Sequence, residues 1–452
     1  MLRIICMILL ILSGSLVVSV CSAGKQTTFP LLAEGQLDQR QHWTAFEDGR
    51  QVAILGDLLR SEQAAALVVE ALEANPGLQQ TLLTLRIRQM EHRQVVGQRL
   101  PTIEAGLSAD RQQDQDSTYT GAVTVGWEID VWRKVADTAQ ASSLDVAQQA
   151  ALYQAARDTL AAEVMQSWLG ITAAHRNIVI EEQRLKTLEQ TEAFVLRRYT
   201  RGLGGLEDLD SARKASSSSR ATLAGYREVL ARNQRALQAM LGRVDAGFVD
   251  IAAEYPAVIA PLAELPAQTL RRRPDLQAAY LAIEAADLRV SVAYKDLLPS
   301  INVQAVLTDA ASSPASALLT NPLWSLLGQL SAPLFQGGRL MAATEIAELK
   351  TAQCYHAYRE TLLTAVQEVE DAIGRERSLT EQVRHTENAL GLERDNLRRY
   401  EQQYRAGLVD MLDLLQVGAS CFDLEIQLNT LVHDRLANRI VLGLALGLGV
   451  GA

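Results

Sequence analysis

Tyr199-Thr200-Arg201-Gly202-Leu203, followed at fixed distances by Leu206, Asp208 and Leu209, has a second copy in Tyr404-Arg405-Ala406-Gly407-Leu408 with Met411, Asp413 and Leu414. A glycine that closes a helical tract is the usual left-handed cap, so each copy predicts a helix ending at Gly202 or Gly407. A return helix then starts near Leu206 or Met411. Working backward, Asn75-Pro76-Gly77-Leu78-Gln79-Gln80 matches Arg273-Pro274-Asp275-Leu276-Gln277-Ala278. Each proline is followed 25 residues later by the proline of a Leu-Pro pair, Leu100-Pro101 or Leu298-Pro299. The offset between copies grows only from 198 to 205 along the chain. Matches in the same order at separated places mean an internal repeat of about 200 residues, far longer than solenoid periods.

Each half reads as a helix, two strands, a very long helix and a return helix. In Thr102-Ile103-Glu104-Ala105-Gly106-Leu107-Ser108 and Ser300-Ile301-Asn302-Val303-Gln304-Ala305, apolar residues alternate with polar or small ones, which is the period of a strand. Tyr119, Val123, Val125 and Trp127 share one face of a second strand, and its counterpart runs from about Trp324 to Ala332. The polar or turn-rich stretches Asp110 to Ser117 and Thr308 to Pro322 are loops, giving two hairpins, at about 101–128 and 299–335.

No proline occurs between Pro101 and Pro256, or after Pro333. Lys134 to Arg201, interrupted only by Gly170, is rich in Ala, Gln, Leu, Glu and Arg and predicts a helix of about 100 Å. Arg339 to Arg405 repeats it with Gly374 and Gly391. Return helices last to Gly242 and Gly443, and single helices near Ala64 to Gln98 and Ala267 to Leu297 precede the hairpins. Two short helices end to end match one long helix. Such helices need a coiled-coil partner or a repeat assembly. The fold class is therefore mainly α with a small antiparallel β part.

The 452 residues are 48% hydrophobic, enough for a sizeable core. A net charge of −10 without a basic stripe excludes nucleic-acid binding. Arg3 precedes an apolar run from Ile4 to Val20 that ends in Cys21-Ser22-Ala23, the layout of an export signal over 1–23. Cleavage before Cys21 would leave a thiol for lipid attachment; cleavage after Ala23 would remove it. Cys354 and Cys421 then remain, too far apart along antiparallel helices for a disulfide. The six histidines show no metal-ligand spacing, and no Ser-His-Asp pattern or phosphate loop points to an enzyme. After the signal, the expected parts are an extended segment over 24–63, a first repeat over 64–255, a linker over 256–266 and a second repeat over 267–452.

Four strands cannot close a membrane barrel, since about eight is the minimum, so closure needs other copies of the chain. The alternative is a small soluble sheet on an exported coiled-coil scaffold without a pore. Glu104, Asn302, Gln304 and several threonines opposite the apolar face favour a water-filled lumen. Trp127 and Trp324 are candidates for an interfacial girdle. Asp208 and Asp210 beside the first turn, with Asp410 and Asp413 beside the second, are candidates for acidic rings at an aperture, with Leu412 and Leu415 as an apolar constriction. Asp is also a preferred helix N-cap, a purely structural reading of the same carboxylates.

Several motifs in order carry a family resemblance. These are Trp43 with Phe46 and Asp48; Ala71-Leu72 with Asn75-Pro76-Gly77-Leu78; Trp127-Glu128-Ile129-Asp130-Val131-Trp132; Arg272-Arg273-Pro274-Asp275-Leu276; Leu298-Pro299-Ser300-Ile301; Pro333-Leu334-Phe335-Gln336-Gly337-Gly338-Arg339; and Tyr404 with Gly407 and Asp413-Leu414. The chain resembles the TolC-type outer-membrane factors, in particular the lipoprotein branch that serves resistance-nodulation-division efflux pumps.

The resemblance implies a homotrimer whose twelve strands form an outer-membrane barrel above a periplasmic helical barrel. It also implies an inner-membrane transporter and a periplasmic adaptor as partners, contact with outer-membrane lipid, and no cofactor. A duct for protein secretion shares this architecture. Gly337 and Gly338 mark the strand-to-helix junction of the second half, whereas Arg133 replaces the usual glycine in the first, predicting a junction of different shape. Gln416 and Ala419 stand where some relatives place a charged lock.

Overall fold

The computed structural model describes residues 26–37, 42–44, 52, 54–111, 113, 116–244, 254–261 and 266–451. The export signal, Cys21, Phe46 and Asp48 lie outside them. A helix α1 (Phe29–Leu37) and a short 3-10 turn (Leu55–Leu58) precede the first repeat. That repeat comprises α2 (Glu62–Ala74), α3 (Pro76–Gly97), β1 (Thr102–Asp110), β2 (Thr118–Glu128), α4 (Lys134–Thr200) and α5 (Leu206–Met240). The second comprises α6 (Pro266–Arg272), α7 (Pro274–Lys295), β3 (Ser300–Ala311), β4 (Leu323–Ser331), α8 (Arg339–Arg405) and α9 (Met411–Ala445). The duplication extends to length: α4 and α8 have 67 residues each, and α5 and α9 have 35 each.

Three details differ from the sequence expectation. The single helices expected before each hairpin are broken, α2 from α3 at Asn75-Pro76 and α6 from α7 at Arg273-Pro274. Proline lacks the N–H that would continue the ladder and holds the preceding residue away from the helical region. Asn75 is accordingly extended, with ψ 121°. Its side chain secures the break, accepting from Leu78 N–H at 3.0 Å and donating to the Met240 carbonyl at 2.8 Å. Strand β3 continues through Ala311, into the stretch expected to be loop. The last helix runs past Gly443, which is buried inside it, and is capped by Gly447 at φ 75°.

Four helices end alike. Gly202, Gly242, Gly407 and Gly447 have φ between 68° and 75°, and the residue after each donates back across six residues, as Leu203 does to Arg198 O and Leu408 to Gln403 O, both at 2.9 Å. This is the Schellman closure, which satisfies the last carbonyls of a helix. Gly170, Gly374 and Gly391 sit inside the long helices without ending them. An interior glycine costs only about 1 kcal/mol, less than the surrounding turns recover.

The chain forms two compact units that cut across both repeats. One combines Met1–Gln39, Leu82–Leu152 and Asp275–Leu362 and contains the four-stranded antiparallel sheet, in the order β1-β2-β3-β4. In it α1 is moored by Tyr358, whose hydroxyl donates to Ala33 O at 3.3 Å, and by Gln36, which donates to Tyr355 at 2.8 Å. Lys295 of α7 pairs with Asp137 of α4, both nearly buried, and Ser291 donates to the same carboxylate.

The other unit combines Arg40–Thr81, Tyr153–Pro274 and Leu363–Ala452. Its core is aliphatic around Trp168, 2% exposed, with Leu55, Leu58, Leu169, Leu237 and Ile440 wholly buried. Trp43 packs on a second cluster of Val369, Ile373, Leu442 and Leu446. The C-terminal residues dock here through Leu55 N–H to Gly449 O, 2.9 Å, and Val450 N–H to Asp158, 2.8 Å.

Candidate functional site

The sheet separates two chemistries. Residues paired across antiparallel strands share a face, so the register sorts every side chain. One face carries Ile103-Val125-Ala305-Leu326, Ala105-Val123-Leu307-Trp324 and the Trp127-Val303 pair. Its apolar groups stand in the open: Ile103 is 71% exposed, Trp324 79% and Leu326 66%. The opposite face carries Glu104-Thr124-Val306-Ser325 and Glu128-Asn302-Gln329, with Leu327 beside Gln304 and Leu323 beside Thr308 as further apolar members. Strands β1 and β4 are the edges, exposed along their whole length. Trp127 lies toward the helical end of the apolar face and donates its indole N–H to Arg99 O at 3.1 Å. Trp324 lies four register positions further along β3. Trp132 is not on the sheet; its indole N–H donates to Pro299 O at 2.6 Å, in the turn below it.

Both strands enter their long helices through left-handed turns. Gly337 and Gly338 have φ 56° and 83°. Arg133, expected to reshape the first junction, instead holds φ 59° itself. The junction keeps a left-handed residue because Asp130 anchors the first turn of α4: its carboxylate accepts from Val135 N–H at 3.1 Å and Ala136 N–H at 2.7 Å, satisfying two orphan donors of that helix.

The turns after α4 and α8 come together in one apolar cluster of Val195, Leu209, Ala212 and Met411, with Tyr404 and Leu415 packed against it. Asp410 is the N-cap of α9, its carboxylate accepting from Asp413 N–H at 2.9 Å. The N-cap of α5 is Gly205, with no side-chain cap, so Glu207 and Asp208 face the first-turn dipole without that bond. Asp210 and Asp413 are exposed and Asp208 half-buried. The two leucines part company: Leu412 is 51% exposed, whereas Leu415 turns into the cluster.

Other contacts here had not been read from the sequence. Arg198 of α4 donates to the Tyr404 hydroxyl of α8 at 2.9 Å and lies over its ring at 5.7 Å, while Phe194 meets that ring edge-on. Helices α4 and α5 are zipped by Glu182–Arg227 at 2.8 Å and Glu189–Arg220 at 2.9 Å, a seven-residue spacing on both members of the pair. That spacing of acids on one helix and arginines on the next was the available signal. Four consecutive serines, 216–219, lie on α5; Ser216 and Ser219 are buried, and Ser219 donates to the buried carboxylate of Glu181 on α4. Among the described residues no group of His, Cys, Asp and Glu could hold a metal ion, and no helix is long and apolar enough to cross a membrane.

Known proteins share this arrangement. The family model described as outer membrane efflux protein matches residues 67–243 and 265–448. The cation efflux system protein CusC of Escherichia coli O6:H1 is 26% identical over 397 residues, covering 86% of each chain. The pyoverdine export outer membrane protein OpmQ of Pseudomonas putida is 26% identical over 396 residues, covering 80% of this chain and 82% of its own. The open-state structure of the Neisseria gonorrhoeae outer membrane channel MtrE superposes with a TM-score of 0.82 at 21% identity, covering 91% of this chain and 96% of that one. With the family model matched over both repeats, the chain belongs to the outer membrane efflux protein family.

Proposed function

We propose that three copies of this chain join edge to edge, β4 of one to β1 of the next, and close a twelve-stranded barrel in the outer membrane. This barrel is a passive exit duct for small molecules delivered by an inner-membrane resistance-nodulation-division transporter through a periplasmic adaptor. The observation that carries the reading is the sheet itself, with two open edges, an apolar face standing in the open and a polar face behind it. In lipid every backbone group needs a partner, so open edges demand closure. CusC and OpmQ are equally similar to the chain yet are named for different cargoes, a cation and pyoverdine, which fits a duct whose partners choose the cargo.

In this reading the α4–α5 and α8–α9 turns form the periplasmic aperture, with Asp208, Asp210, Asp410 and Asp413 repeated as rings and Leu412 as one of the exposed apolar groups. Asp410→Asn separates the two roles of that residue, because asparagine caps a helix as well as aspartate but carries no charge. Pairing it with Asp413→Asn should lower cation selectivity in planar bilayers without loss of folded trimer. An unchanged reversal potential would remove these residues from the aperture.

A lipid anchor at Cys21 fits the N-terminal mooring. Thr27 N–H is held at 2.6 Å by Asp287 of α7, and Asp287 lies eight residues, about 12 Å of helix, before Lys295. The six residue steps from Cys21 to Thr27 can span at most about 20 Å, more than the helix length that separates Asp287 from Lys295. Labelled palmitate should enter the native chain and not Cys21→Ala.

The channel itself is tested by extracting the full chain from outer membranes in mild detergent and measuring mass and single-channel conductance together. A trimer with discrete conductance is expected; a soluble monomer without conductance would overturn the proposal.

A further inference from the structure

The two hairpin tips differ in chemistry. The β1–β2 connection, Arg111 to Ser117, carries Arg111, Asp114 and Asp116 in seven residues. The β3–β4 connection, Ser312 to Pro322, has eleven residues and no charge at all. Nor does it stand away from the sheet. Ala317, fully buried, lays its carbonyl on Gly121 of β2 so closely that a Cβ there would lie 2.0 Å from the oxygen. Gly121 pairs with Leu107 and Asp309, on the face that carries Ile103, Val123 and Trp324, so the loop is folded down onto the apolar side.

Asp309 explains why it stays there. This carboxylate sits on the apolar face but is only 8% exposed. One of its oxygens accepts from Asn321 N–H at 2.9 Å and from the Thr320 hydroxyl at 3.2 Å. The same hydroxyl lies 2.7 Å from Ser316 O, so its single proton is shared between that carbonyl and the carboxylate, which ties the loop to itself as well as to Asp309. A bare carboxylate on the lipid face is unfavourable, though less so than an Arg or Lys, whose cost of about 2–4 kcal/mol at a barrel's midplane falls to about 0–1 near its rims. Here the chain's own loop covers it and satisfies it. Leu318 of the loop is left 66% exposed, as are Trp324 (79%) and Leu326 (66%) of the apolar face.

We propose that the Ser312–Pro322 loop is a lipid-contacting flap, latched by Asp309 over the outer wall of the barrel at its rim, and that its partner is the headgroup–acyl boundary of the outer leaflet. The inference rests on the barrel reading above, which turns the apolar face to lipid. Charge supports this partner: the loop carries no ionisable group and exposes a leucine, so lipid contact at the boundary needs no charge to be desolvated. Position supports it too. Asp309 lies nine residues past Ser300, which at strand rise and a tilt near 40° is roughly 23 Å, inside an apolar band about 25 Å tall. A loop folded to this side leaves the lumen clear, whereas the charged Arg111–Ser117 tip belongs in water.

The test uses the full chain with Cys354→Ser and Cys421→Ala, reconstituted in phosphatidylethanolamine–phosphatidylglycerol liposomes. An environment-sensitive fluorophore is placed in turn on Leu318→Cys, Leu326→Cys and Ser117→Cys, and its quenching by nitroxide-bearing lipid is compared with quenching by aqueous iodide. Labels at 318 and 326 should be quenched by the lipid and shielded from iodide, the label at 117 the reverse. Adding Asp309→Ala should raise iodide quenching at 318 several-fold and leave 326 unchanged. Iodide quenching at 318 as strong as at 117, with 326 still in lipid, overturns the flap and leaves the barrel standing. Iodide access at 326 as well overturns the barrel. A label at 318 that ignores Asp309→Ala overturns the latch.

Discussion

Arg133 is an arginine in a left-handed conformation, φ 59°, that costs an L residue about 1 kcal/mol. Its counterpart at the second junction is Gly338, φ 83°. Arg133→Gly should therefore raise stability by about 1 kcal/mol, read as a shift of the urea midpoint with unchanged slope. A loss of stability would mean that the exposed arginine side chain carries more than its backbone costs. The departure from glycine was legible in the sequence; its consequence was not, because residue identity limits φ without fixing it. The fixing group is Asp130, three positions earlier, which holds two N–H groups of α4. Asp410 shows the same limit from the other side. Its cap could be read from sequence as one of two roles, and the contact with Asp413 N–H establishes the structural one.

The elements were legible where periodicity is long or punctuation is strong. The 67-residue helices and the return starts at Leu206 and Met411 are dictated by proline-free tracts and by glycine caps. The breaks at Pro76 and Pro274 are masked in the sequence, since periodicity continues across both while the backbone ladder does not. Two cap glycines allow the local cost to be separated from packing. Gly202, φ 71°, has open space where a Cβ would go, whereas at Gly242, φ 68°, a Cβ would lie 2.6 Å from Ala74 O. Gly202→Ala should cost about 1 kcal/mol, the left-handed strain alone. Gly242→Ala adds a backbone collision at the end of α2 and should cost clearly more. Equal costs, measured by urea unfolding of the two variants, would show that the α2 end yields freely.

At the scale of the whole chain, both described ends are held beside carboxylates whose titration is displaced in the same direction. Burial pushes the Asp158 carboxyl above its ordinary value, against the hydrogen bonds of Val450 N–H and Gln154 that favour its charge. In the other unit burial likewise raises Glu284, with the neighbouring charge of Glu34 adding to it; Tyr280, which donates to Glu34, moors α1 beside it.

A carboxyl whose folded pKa is raised binds more protons folded than unfolded, between the ordinary value and the raised one. Stability then falls as pH rises through that window, and acidification into it stabilises both moorings. Amide exchange, corrected for its intrinsic pH dependence, should slow over 446–451 and over 28–37 as pH falls toward the ordinary carboxylate range. Asp158→Asn should flatten the first response only and Glu284→Gln the second only. Flattening of both by either substitution would show a single global transition in place of two local ones. Neither mooring was legible in the sequence, because each joins residues more than 200 positions apart through one or two polar atoms, and no periodic pattern records such a contact.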